Sequence, residues 1–163
     1  MKLKKVRISV LILMLIIVGV YFFLKLNPPL EIGTLASGDD KRSVVVGVGN
    51  KGFQEVELLD VLVNNDDIPL ETKIQVSNAL QGFIITDHYN NEEAEEYTFM
   101  NINEVAVKTG TSPTSTFKKL DDGTATKNDE IYGINVFYDK EINKVDITYS
   151  YLGIQFIETV TLN

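Results

Sequence analysis

The chain has 163 residues, 23 acidic against 15 basic, a formal charge of −8, and neither cysteine nor tryptophan. Lack of cysteine excludes disulfides, thiol nucleophiles and thiolate metal sites, so stability must come from packing. Every acidic residue lies from Glu31 onward, against ten basic ones there, and the resulting −13 disfavours nucleic acid and anionic headgroups as partners.

The first element is Ile8–Leu24, ISVLILMLIIVGVYFFL, which is uncharged and follows Lys2, Lys4, Lys5 and Arg7. At ~1.5 Å per residue it spans ~25 Å, close to the ~30 Å of a bilayer core. Tyr21, Phe22 and Phe23 near its far end suit the interface, and Arg7 and Lys25 can snorkel at either end. The basic residues ahead of it predict a single-pass helix with a cytoplasmic N-terminus. The expected organisation is a basic tip and transmembrane anchor over 1–26, a proline linker over 27–30, and an extracytoplasmic domain over 31–163. A cleaved signal peptide is the rival reading, but Lys25-Leu26-Asn27-Pro28-Pro29 offers no small-residue cleavage site. An exported, cysteine-free domain points towards a Gram-positive bacterium.

Beyond Pro29 the period changes from helical to strand-like. Glu31–Ala36 reads as a first strand, and Ser43–Asn50 as a second with Val44, Val46 and Val48 on one face. Asn50-Lys51-Gly52 marks a tight turn. Phe53–Asn64 follows as a long strand: Val56 and Leu58 are in one phase, Leu59, Val61 and Val63 in the other, which predicts a bulge. Thr72–Val76 and Leu80–Asp87 read as strands. Glu92–Phe99 allows a short helical turn before Tyr97-Thr98-Phe99 becomes extended, and Asn101–Lys108 continues extended. Gly110–Thr116 and Leu120–Glu130 read as loops. Ile131–Tyr138 is expected to pair with Val145–Tyr151 across Asp139–Lys144, and Ile154–Leu162 closes the chain.

Seven to nine short strands and no amphipathic helix of useful length predict an all-β fold, a single antiparallel β-sandwich behind one N-terminal transmembrane helix, with barrel closure as the alternative. SVVVGVGNKGFQEVELLDVLVNN resembles the B–C region of bacterial immunoglobulin-like domains, and VDITYSYLGIQFIETVTL resembles their closing F–G hairpin. The layout as a whole is similar to small membrane-anchored extracytoplasmic proteins of Gram-positive bacteria. That resemblance implies an immunoglobulin-like sandwich and an extracytoplasmic location, and it implies no activity.

Candidate chemistry is sparse. His88, the single histidine, adjoins Asp87, but strand neighbours point to opposite faces and no serine sits in a nucleophile elbow. Asp121, Asp122, Asn128, Asp129 and Glu130 could gather oxygen ligands for calcium, although the helix–loop–helix calcium pattern does not fit around Gly123. Asn64-Asn65-Asp66-Asp67 is a second acidic loop, and both loops equally suit turns. Glu92, Glu93, Glu95 and Glu96 could supply paired carboxylates for glycoside cleavage, but a dense acidic run is normally solvated. Tyr132, Phe137, Tyr138, Tyr149, Tyr151 and Phe156 crowd the last strands, as core or as an outer binding patch. No catalytic residue and no cofactor are therefore assigned. The expected function is non-enzymatic: a membrane-tethered module, held through Ile8–Leu24, that binds a protein or cell-envelope partner. A calcium-dependent adhesion or sensor module is the alternative, and a carboxylate-based wall enzyme is a second alternative.

Overall fold

The computed structural model describes residues 2–86, 89 and 94–162. Asp87, His88, Glu92 and Glu93 lie outside the described residues. The chain forms one N-terminal apolar helix and two antiparallel sheets around a shared core.

Helix α1 spans Lys2–Leu26. Its Val6–Leu26 portion has a mean hydropathy of 2.6 and is long and apolar enough to cross a membrane. At ~1.5 Å per residue those 21 residues reach roughly 30 Å. The helix stops where Asn27 caps it, its backbone and side-chain nitrogens both donating to Phe23 O, and two prolines follow. Its last turn is fastened to the β-domain. Leu24 is buried in the core, and Lys25 donates to Gln155 O at 2.6 Å with its ammonium 4.5 Å from the Phe156 ring centre.

The strands are β1 (Leu30–Ser37), β2 (Ser43–Asn50), β3 (Val56–Val63), β4 (Glu71–Asn78), β5 (Thr98–Met100), β6 (Ala106–Val107), β7 (Glu130–Phe137), β8 (Lys144–Tyr151) and β9 (Ile154–Thr161), with a second helix, α2, over Pro113–Asp121. Sheet one has the order β1-β2-β7-β4-β5, and sheet two β6-β3-β8-β9. Val44, Val46 and Ile134 of sheet one meet Val61, Ile147 and Tyr149 of sheet two in the core. Each such side chain contributes ~1.5–3 kcal/mol by leaving water. Tyr132, Tyr138, Tyr149, Tyr151 and Phe156 are all buried and Phe137 is half-buried, so the C-terminal aromatics are packing.

Several sequence expectations match. β3 carries its irregularity between Leu58 and Asp60, which lets Leu58 and Val61 both reach the core while Leu59 faces out. A 3₁₀ turn over Ala94–Glu96 precedes β5, and β8 and β9 form a continuous hairpin.

Others need correction. Ile131–Tyr138 and Val145–Tyr151 are not a hairpin: β7 pairs with β2 and β4 in sheet one, and β8 with β3 and β9 in sheet two. The intervening segment crosses between the sheets because Ile142 is fully buried and its N–H donates to Lys41 O, as Tyr138 N–H does to Arg42 O. Over 80–86 there is no strand. Gly82, at φ +73°, turns the chain so that it runs over the outer face of sheet one. Of Asn101–Lys108, only Ala106–Val107 pairs in a sheet. The two loops expected over Gly110–Thr116 and Leu120–Glu130 are joined by α2, which takes the end of the first and the start of the second.

Candidate functional site

The outer faces of the two sheets differ, and the candidate site lies on that of sheet one. Strand β2 is buried on both sides: Val44, Val46 and Val48 face the core, while Val45 is also buried on the far side. That second cover consists of a strap, 79–86, and α2. Glycines admit both. A Cβ at Gly133 would stand 2.9 Å from the Phe83 ring and one at Gly47 3.2 Å from it, so Phe83 lies directly on the sheet backbone. Likewise, a Cβ at Gly33 would stand 2.7 Å from Pro113, the first residue of α2. Small residues let cover and sheet approach to van der Waals distance.

The strap is held by a side chain acting as a strand. Gln75 on β4 is fully buried, and its carboxamide accepts from Ile84 N–H and donates to Ile84 O, both at 3.1 Å, in the orientation that satisfies both groups. Asn135 lies beside it at 3.3 Å. Leaving such a buried amide unpaired would cost ~1–3 kcal/mol.

Helix α2 is fastened at both ends. Its N-cap, Ser112, makes no side-chain cap bond of its own. Glu31 of β1 substitutes: its carboxylate accepts from Ser112 Oγ at 2.6 Å, from Thr114 N at 3.2 Å and from Thr114 Oγ1. Burial pushes the Glu31 carboxyl up, but the Ser112 and Thr114 hydrogen bonds together outweigh it and hold it below its ordinary value. At the other end Lys119 pairs with Asp129, which also accepts from Thr126 N at 2.7 Å and Thr126 Oγ1 at 2.9 Å. Those bonds, from Lys119 first, pull Asp129 down to about 2. The helix closes on Gly123, at φ +67°, with Gly123 N–H donating to Leu120 O and Thr124 N–H to Lys119 O.

Between strap and helix a cleft of ≈ 330 Å³ remains open. Its walls are Phe83 and Ile85 on one side, Phe117 and Leu120 on the other; Val45 and Gly47 lie at the base. Thr34, Thr111, Thr116 and Tyr132 carry the polar side-chain groups of its lining, and no charged side chain joins them among the described residues. Volume and lining fall at the small end of the range for pockets that take an apolar group. The arrangement can accommodate an apolar group.

The calcium candidates are differently engaged. Asp129 is held by Lys119 and Thr126; Glu130 pairs with Lys108 at 2.9 Å and accepts from Tyr132 Oη. Asn128 donates its N–H to Thr126 Oγ1, while Asp121 ends α2 and Asp122 is its C-cap. Among the described residues, no three His, Cys, Asp or Glu side chains group as a metal ion requires. In the second acidic loop, Asn64 Nδ2 donates to Glu141 O and Asp67 accepts from Tyr138 Oη, which are structural bonds between loops. Of the glutamate run, Glu95 and Glu96 sit exposed in the 3₁₀ turn; Glu92 and Glu93, like the Asp87–His88 pair, lie outside the described residues.

Of the cleft lining, Tyr132 was singled out in the sequence, among the C-terminal aromatics; Phe117 and Leu120 were not, because GTSPTSTFKKLDDG has loop composition. The signals for α2 were nonetheless there: Ser112 before Pro113 at the first helical position, Lys118 and Lys119 in the last turn, and Gly123 just past the end. Phe117 and Leu120, three apart, then share the face that lines the cleft. No protein-family model, no curated protein and no solved structure matches the chain.

Proposed function

We propose that the protein is a non-enzymatic, membrane-tethered binding module. Helix α1 spans the bilayer once with its N-terminus in the cytoplasm, and the two sheets form an extracytoplasmic, immunoglobulin-like sandwich. The domain captures an uncharged apolar segment of an envelope protein partner in the cleft between α2 and the strap. The hydropathy and length of Val6–Leu26, together with the basic residues preceding it, support the tether.

The observation that carries the binding assignment is the cleft itself: an open, apolar hollow bounded by exposed Phe117 and half-exposed Leu120, kept open by a helix fastened at both ends. Its neutral hydroxyls select against charged ligands, and the −13 of the outer part repels polyanions.

A photo-crosslinking side chain placed at Phe117 in the full-length chain tests this in native membranes. It should capture a discrete protein adduct, and a second set of membranes carrying Leu120→Asp in addition should lose it. Both positions are on the rim, and circular dichroism of each variant checks that the sheets remain folded. Capture of no protein, or capture indifferent to Leu120→Asp, would remove the cleft as the binding site.

A further inference from the structure

Pairing places one end of both sheets beside the exit of α1. Pro29, three residues past the helix, accepts from Lys51 N–H at 3.0 Å, and a Cβ at Gly52 would stand 3.0 Å from Pro29 Cβ and 2.7 Å from Tyr151 Oη. Thus the turn joining β2 to β3 and the turn joining β8 to β9 lie at the level where the helix leaves the domain. The opposite end is formed by turns such as 38–42 and 64–70.

At the exit end, three large apolar side chains face solvent: Leu26 is 78 % exposed, Phe53 69 % and Leu152 48 %. Phe53 is not loosely held. Asn50, fully buried, organises the Phe53 turn by accepting from Gly52 N–H at 2.7 Å and donating to Gln54 O at 2.7 Å and Val107 O at 3.0 Å. Phe53 N–H donates to Tyr151 Oη at 3.1 Å, and the two rings meet edge-on at 5.9 Å. An aromatic fixed in an exposed position by a buried network is poorly explained by packing alone. Lys25 adjoins Leu26 in the chain, and Lys51, whose N–H meets Pro29 O, lies two residues before Phe53. Glu55 and Glu57 line the groove behind Phe53.

We propose that this end of the domain rests on the bilayer surface beside its own anchor. Leu26, Phe53 and Leu152 enter the interface, Lys25 and Lys51 lie among the headgroups, and Glu55 and Glu57 stay in water and limit the depth. The proposal rests on the tether reading above, because α1 supplies the membrane that the three side chains would meet. Apolar and aromatic groups flanked by lysine favour this interface. A second contact fixes the tilt of the domain, so the cleft is presented at one height and orientation. Because the acidic pair accompanies the apolar residues, the contact depends on acyl-chain burial, and neutral lipid suffices.

The chain contains no tryptophan, so one can be introduced as a sole reporter. Three single variants of the full-length protein are reconstituted in phosphatidylcholine vesicles containing lipids brominated high on the acyl chain: Tyr21→Trp in the anchor, Phe53→Trp at the exit end, and Ile68→Trp at the opposite end. Ile68 is 79 % exposed, so the comparison with Phe53 is between two tolerant sites. Expected is several-fold stronger quenching and a blue-shifted emission for Phe53→Trp relative to Ile68→Trp, with Tyr21→Trp also quenched. If Tyr21→Trp is quenched but Phe53→Trp matches Ile68→Trp, the resting surface is overturned and the tether survives. If Tyr21→Trp escapes quenching, the tether fails and the resting surface with it.

Discussion

Among the described residues, the outer face of sheet two is bare and that of sheet one is roofed. Strand β8 alternates buried and half-buried residues along its whole length, and β9 leaves Ile157 66 % exposed. Strand β2, on sheet one, is buried at seven successive positions. The difference arises from what each outer face carries. Sheet two presents side chains such as Thr159, whose hydroxyl bonds Asp146 at 2.6 Å, and these are satisfied in water. Sheet one presents Gly33, Gly47 and Gly133, which expose backbone that only a close-packed cover can shield, and Gln75, which needs a partner once covered. A face built to be covered, yet covered incompletely, leaves a cleft; a face built for water leaves none of that kind.

The largest expected effect comes from striking what the sheets share. Ile147, fully buried on sheet two, packs in the common core, so Ile147→Ala should cost about 2–5 kcal/mol. Both sheets should unfold in one urea transition, followed by circular dichroism and by tyrosine fluorescence. Two separated transitions would show that the sheets do not form one cooperative unit.

A substitution confined to the roofed face should cost less and act locally. At Gly133, a valine would collide with the Phe83 ring, and overpacking of this sort costs about 1–3 kcal/mol. Gly133→Val should therefore lift the strap, with faster hydrogen exchange at Ile84 and Phe83 and unchanged exchange along β8. Protection lost equally from both sheets would mean that the strap is part of the core and no separable cover.

Acidification tests the fastening of α2. Glu31 and Asp129 both have folded values below their ordinary ones, 4.5 and 3.8. Each therefore adds stability that is full above its unfolded value and is lost as pH falls through its folded value, which for Asp129 is about 2. A Phe117→Trp reporter should redden between about pH 5 and about pH 2 as the helix loosens, ahead of the sheets. Glu31→Gln keeps the shape and weakens the cap, so it should cost about 1 kcal/mol at neutral pH and flatten the upper part of that pH response. An unchanged response would show that Glu31 does not hold the helix.

The contrast between faces also explains what the sequence made legible. Period-two patterns in VDITYSY and IETVTL identify strands because one side meets water, and the uninterrupted apolar run of Ile8–Leu24 identifies the helix by composition alone. The phase switch in VELLDVLV gave away the bulge in β3. Pairing partners were not legible: IYGINVFY and VDITYSY look like a hairpin because the segment between them is short, and nothing local says that Ile142 plugs the core and sends the chain across to the other sheet. The cleft was hidden for a related reason. LQGFIITD has strand composition, but its Ile84 backbone pairs with the Gln75 side chain in place of a neighbouring strand. In PTSTFKKLD, Ser and Thr suppress helix propensity, which the cap from Glu31 and the Lys119–Asp129 pair offset through tertiary contacts. Neither contact has a sequence-local signature.

The smallest expected effect is the sharpest control on the comparison. Ile157 stands on the bare face of sheet two, where its side chain already meets water for two-thirds of its area, so Ile157→Thr removes little burial and keeps β-branching. The change in stability should stay within about 0.5 kcal/mol, and crosslinking through Phe117 should be unaltered. The matching change on the roofed face is Val45→Thr, which puts a hydroxyl at a position 1 % exposed at the base of the cleft. There an unpaired hydroxyl should cost about 1–3 kcal/mol. Urea titration of the two variants side by side measures the asymmetry directly. Equal costs would mean that Ile157 is covered in the working protein, and that the bare face of sheet two has a partner of its own.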